Sequence, residues 1–183
     1  TRRCVVKKSL IVLLMLLLST LSHAAAADEA KEYSERKGFL IGFDAGGGMI
    51  RFQSGETDGA FVGGLKIGGG ISERVLLMAE DTAAIALVSG LPSIQALLFS
   101  SQIFVIKNLY ARPGIGFGYG EEELAGGGTI KTGLGFAAGL AGGYEFRLTR
   151  RFALSPEVKG VYARLEGRNH FSVGGVIDLR WYF

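Results

Sequence analysis

From Gly38 onward, large apolar residues alternate with small or polar ones at a period of two, the mark of β-strands with two unlike faces. Phe39, Ile41, Phe43 and Ala45 alternate with Leu40, Gly42, Asp44 and Gly46. The same rhythm recurs over 61–71, 97–105, 109–119, 134–146, 152–162 and 171–183. Residues 75–88 are needed as a further strand, although their pattern is weaker. Glu80 and Asp81 are adjacent there, so a β-bulge that resets the parity is expected. The alanines of this stretch also permit a helix. Counting it as a strand balances the connections, which are short at 72–74, 107–108 and 147–151 and mostly longer at 51–59, 89–93, 120–129 and 164–170. Pro113 and Pro156 fall inside strands, where a missing N–H predicts a bulge or a local break in pairing.

The second face decides what surrounds such a barrel. A soluble, lipocalin-like barrel turns its apolar face inward and shows a polar face to water. Here the second face is Gly, Ala and Ser with scattered charges, a poor surface for water and a good filling for a narrow lumen. The first face is almost uninterrupted Phe, Leu, Ile, Val and Tyr. Its aromatics gather at two levels: Phe39, Phe146, Phe152, Trp181 and Phe183 at one, Phe61, Tyr119, Tyr162 and Phe171 at the other. Two aromatic girdles around an apolar band belong to a transmembrane barrel. The expected fold is all-β, an eight-stranded antiparallel up-and-down transmembrane β-barrel. A secreted soluble barrel is the alternative.

The first 27 residues differ in kind. Arg2, Arg3, Lys7 and Lys8 precede an apolar run over 10–18, and Ala25 and Ala27 supply an A-x-A exit, which together make a secretory signal peptide. The run is shorter than the roughly 20 residues of a spanning helix. The expected organisation is a cleaved signal at 1–27, a periplasmic tail at 28–37 and a barrel domain at 38–183. Removing 27 of 183 residues leaves 156, with 16 of the 20 Lys and Arg against all 17 acids, a net charge of −1. Nothing in that balance calls for nucleic acid. Cys4 precedes the apolar run, so the remaining chain holds no cysteine, and it holds a single histidine, too little for a metal cluster. No cofactor is expected. All 29 glycines lie after residue 27, several as GxG runs inside strands, where a phosphate-binding reading lacks its strand–loop–helix context.

The ending Ile177-Asp178-Leu179-Arg180-Trp181-Tyr182-Phe183 is similar to the C-terminal signature of outer-membrane proteins. With the signal peptide and the strand pattern, the chain resembles the small eight-stranded outer-membrane β-barrels of the OmpA/OmpX type. That resemblance implies the bacterial outer membrane of a Gram-negative cell as the location. It implies Trp181 and Phe183 as an assembly signal read by the barrel-insertion machinery, with periplasmic chaperones and outer-membrane lipids as the other partners of a monomer.

Ten charged residues take the inward parity: Asp44, Glu80, Glu145, Glu157 and Asp178 against Lys66, Arg112, Lys131, Lys159 and Arg180. Buried charge is stable only when paired and hydrogen-bonded. An eight-strand lumen is filled by its own side chains, so these ten are expected to form a structural salt-bridge plug in preference to an ion path. His170 and Ser172 share a face on the last strand. They resemble the His-x-Ser of outer-membrane lipid A deacylases, which also use a Glu. In those enzymes Asn follows the Ser, whereas Val173 follows here, and Glu166 lies upstream. The expected function is a non-catalytic envelope barrel with a closed lumen. A surface binding protein using its outer loops and a lipid A-modifying enzyme are the alternatives.

Overall fold

In the computed structural model the described residues are 36–52, 57–87, 93–123 and 129–183, with the side chains of 122, 123 and 129–132 outside them. The strands are β1 (Gly38–Arg51), β2 (Thr57–Gly70), β3 (Val75–Ala86), β4 (Ser93–Ile106), β5 (Leu109–Glu123), β6 (Thr129–Tyr144), β7 (Phe146–Arg147), β8 (Phe152–Leu165) and β9 (Arg168–Tyr182). The two-residue β7 continues β6 beyond Glu145, and both pair with β8. Every neighbour is antiparallel, and β1 pairs with both β2 and β9. The sheet therefore closes into an eight-stave barrel with no free edge.

Closure at the seam has a local cause. Gly38 sits at φ 108°, and a Cβ there would lie 2.5 Å from the Phe183 carbonyl oxygen. The bare glycine lets the ends of β1 and β9 meet, and the Phe183 amide donates to the Phe39 carbonyl at 2.9 Å.

β3 is a strand, but the expected bulge is absent: Lys66 pairs with Glu80 and Leu65 with Asp81 in one unbroken register. Glu80 is buried, while Asp81 takes the outward position and is half-buried. The prolines interrupt pairing without shifting it. Between β4 and β5 the partners pass from Ser100–Gly114 to Ile103–Ala111, skipping Pro113. Along β8 the partners pass from Gly143–Glu157 to Phe146–Leu154, skipping Pro156, and the break between β6 and β7 falls at Glu145. True register shifts lie elsewhere, between Phe104 and Ile106 and between Gly118 and Gly120.

The connections at 71–74, 107–108 and 148–151 share one end with both barrel termini. At the opposite end, the expected longer break at 164–170 is a two-residue hairpin. Glu166 at φ 48° and Gly167 at φ 80° form it, the two left-handed positions of a tight β-hairpin turn. The other connections at that end include 53–56, 88–92 and 124–128, outside the described residues.

Candidate functional site: a filled lumen between two rims

The middle of the interior is a charged layer that the register forces into being. Asp44 of β1 lies directly opposite Asp178 of β9. Two facing carboxylates repel, and Lys66 from β2 resolves the conflict. Its Nζ sits 2.8 Å from Asp44 Oδ2, 3.2 Å from Asp178 Oδ1 and 3.5 Å from Glu157 Oε1. Lys159 Nζ reaches the other Asp44 oxygen at 2.6 Å. Gly64 faces Asp44 beside this ammonium, and a Cβ there would lie 2.5 Å from the Asp81 carbonyl oxygen. Arg112 spans two acids. Its Nη1 donates to Glu157 Oε2 at 2.7 Å, and its Nη2 and Nε reach Glu80 at 3.1 and 3.0 Å. Ser100, Gln102 and the Tyr110 hydroxyl complete the layer, the last donating to Glu157 at 2.7 Å.

The end that carries the termini is sealed by a second cluster around Glu145. Being in the break between β6 and β7, Glu145 directs its carboxylate into the lumen. It receives Arg36 Nε at 3.0 Å, Arg147 Nε at 3.0 Å, Arg180 Nη1 at 3.1 Å and the Tyr182 hydroxyl at 2.6 Å. Arg180 also bonds Asp178, which joins this cluster to the charged layer. Arg36 comes from the polar lead-in. Besides Glu145 it donates to the Glu73 carbonyl at 3.1 Å and to Asn108 Oδ1 at 2.7 Å, and it stacks 3.7 Å above the Phe104 ring. One guanidinium thus ties together the 71–74 and 107–108 turns and the β6–β7 break.

Towards the opposite end the interior is apolar. Ile50, Val62, Ile94, Leu98, Val161 and Leu165 belong to one buried cluster, with Phe52 packed against it. His170 and Ser172 lie in this region, both buried, and the Phe52 ring meets His170 edge-on at 6.0 Å. Glu166, the acid that a deacylase-like reading would recruit, accepts the Gly133 amide at 2.9 Å.

The outer surface has the reverse character. Phe99 is 63% exposed, Ile115 64% and Leu140 63%, in a continuous apolar belt that water does not tolerate on a soluble protein. Aromatic pairs gird the terminal end: Phe39 with Phe183, and Trp181 between Phe43 and Phe152. Phe61, Tyr119, Tyr162 and Phe171 stand exposed towards the other. No protein-family model matches the sequence, and no curated protein matches it. Solved structures do. Neisserial surface protein A superposes with a TM-score of 0.69 at 15% identity, over 79% of this chain and 97% of that one. Ail, the attachment invasion locus protein of Yersinia pestis, gives 0.56 at 9% identity, over 79% and 99%. At such identities the likeness is one of fold. The fold it shares with them is that of the small eight-stranded outer-membrane β-barrels.

In outer-membrane barrels the short turns face the periplasm; the end that corresponds to that periplasmic mouth here carries the Arg36 cluster, and the end that corresponds to the exterior carries the apolar cluster. Of the ten inward-parity charges, the barrel brings Asp44, Lys66, Glu80, Arg112, Glu145, Glu157, Lys159, Asp178 and Arg180 into one continuous network. Lys131 pairs by backbone with Glu121, beyond the Gly118–Gly120 register shift, where a parity count no longer carries through; its side chain lies outside the described residues. Two members of the periplasmic cluster escape sequence reasoning. Arg36 sits in a lead-in without periodicity, and Arg147 falls in the short connection expected at 147–151. The apolar cluster was partly visible, since Leu98 has inward parity. On the lipid face, Asp81 accepts two bonds from Gln95 Nε2, at 2.8 and 2.9 Å, and the Tyr119 hydroxyl bonds Gln95 in turn. That triad satisfies the carboxylate for which a bulge had been expected.

Proposed function

We propose that this protein is a non-catalytic, closed outer-membrane barrel that serves the integrity of the envelope, exported by a signal at 1–27 and processed to begin at Asp28. The observation that carries this reading is how the lumen is filled. The Arg36–Glu145 cluster, the charged layer and the aliphatic cluster succeed one another along its axis. An ion entering from outside would shed its hydration against Ile50, Val62 and Leu98. One entering from the periplasm would meet carboxylates and cations already satisfied by each other. Unpairing them costs about 3–5 kcal/mol for each partner lost. The test is a deletion strain scored for sensitivity to detergents and large antibiotics, with lipid A mass spectra taken alongside. Sensitisation reversed equally by the wild type and by His170→Ala/Ser172→Ala supports the reading. A lipid A mass change that depends on His170 contradicts it.

A second reading, a surface binding protein, draws on the likeness in fold to the attachment invasion locus protein. The one exterior connection described throughout, Glu166–Gly167, is only a two-residue turn. Binding would fall to the loops around 53–56, 88–92 and 124–128.

A further inference from the structure

The lipid face is not uniform near its exterior end. Arg51 on β1 and Arg164 on β8 take the outward parity, and both are exposed. They flank β9, where Phe171 pairs with Arg51 on one side and with Tyr162 on the other, while Asn169 pairs with Arg164. Strands lie about 4.8 Å apart and Arg164 stands two residues along β8 from the level of Arg51, so the two guanidinium stems rise roughly 12 Å apart beside two exposed aromatic rings. Among the described residues neither arginine forms an ion pair. Of the described acids nearby, two are turned elsewhere. Glu166 bonds the Gly133 amide, and Asp58 pairs with the buried Ile50 and so takes the inward parity. The flank formed by β3 to β5 is opposite in character towards the same end, with Asp81, Gln95 and Tyr119 on its outward face.

We propose that the outward face of β1, β9 and β8 at the exterior rim binds a phosphorylated glycolipid of the outer leaflet, its phosphates held by Arg51 and Arg164. The aromatic belt fixes the depth, because Tyr and its neighbours settle at headgroup level. An arginine there gains little from hydrocarbon and much from a phosphate, which its planar fork grips bidentately. Phe171 and Tyr162 offer the flat apolar floor on which an acylated sugar rests, and Asn169, already accepting from the Tyr162 hydroxyl at 2.7 Å, is held at its edge. The proposal rests on the outer-membrane placement and is independent of whether the lumen conducts.

The full chain, reconstituted in phosphatidylcholine nanodiscs, is titrated with bisphosphorylated lipid A and with its dephosphorylated form. Wild type is expected to prefer the phosphorylated form by about tenfold or more, and the preference should shrink as salt screens the exposed charges. Arg51→Ala/Arg164→Ala is expected to lose the preference, and Arg51→Lys/Arg164→Lys to keep part of it, since the point charge remains without the fork. Unchanged heat-modifiable migration shows that the variants are folded. Equal binding of both lipids by wild type overturns the proposal, as does a double alanine variant that retains the preference. Loss of cross-linked dimers in that variant, with lipid binding intact, overturns it in favour of a second copy docking its acidic flank.

Discussion

Replacing Arg112 by alanine removes the side chain that bridges Glu80 and Glu157, and the structure sets the size of the effect. The guanidinium touches both carboxylates and Gln102, and it is buried. After its loss Glu157 keeps the Tyr110 hydroxyl and Lys66 at 3.5 Å, while Glu80 keeps Ser100 at 3.3 Å and Lys159 at 3.7 Å. The remaining contacts to Glu80 are long, so one buried carboxylate is left poorly compensated. Breaking a buried pair in this way costs about 3–5 kcal/mol. At about 2–4 °C per kcal/mol for a chain of this size, the detergent-folded barrel should melt roughly 6–20 °C lower. Arg151→Ala, in an exposed periplasmic turn, should cost at most about 1 kcal/mol. The decisive control removes the stranded charges as well. Arg112→Met with Glu80→Gln and Glu157→Gln should recover most of the loss, because a neutralised site no longer holds an unpaired ion. Thermal unfolding in micelles, followed by gel migration and circular dichroism, reads all three. An Arg112→Ala barrel as stable as Arg151→Ala, or a triple variant no better than the single one, would refute the reasoning.

Gln95→Leu should destabilise the barrel by about 1–3 kcal/mol in urea unfolding from lipid vesicles, because Asp81 loses its amide donor on the lipid face; adding Asp81→Leu should restore stability, and no recovery would discount the triad. Arg36→Ala should speed amide exchange at 71–74 and 107–108, the turns it ties, and unchanged exchange there would show that the lead-in does not close the mouth. Deleting Phe183 should impair insertion in cells more than refolding in detergent, since one rim side chain contributes only about 1.5–3 kcal/mol by burial; equal losses would count against an assembly signal.

The staves were legible because two-residue periodicity is a local property, and a closed barrel imposes it everywhere. Even β3 could be assigned by the balance of connections, although Glu80 and Asp81 broke its pattern. The misreading there was to assume that no carboxylate stays on the lipid face, when Gln95, two positions into the next strand, satisfies it. Inward parity also placed Lys66, Arg112 and Asp178 in the lumen. Their partners were not legible. Lys66 faces Glu80 by register, yet its ammonium serves Asp44, Asp178 and Glu157. Pairing across a lumen depends on strand tilt and side-chain reach, and neither is written in sequence spacing. Arg36 was hidden for a different reason: a single long side chain reaching back from an aperiodic segment leaves no repeat to detect.

The closed interior is tested most directly by single-channel recording of the purified wild-type barrel in planar bilayers at neutral pH. The filled lumen predicts a flat baseline with no steady open level across the applied voltages. Large, stable openings would contradict it and would show that the carboxylates and cations between Arg36 and Leu98 line water.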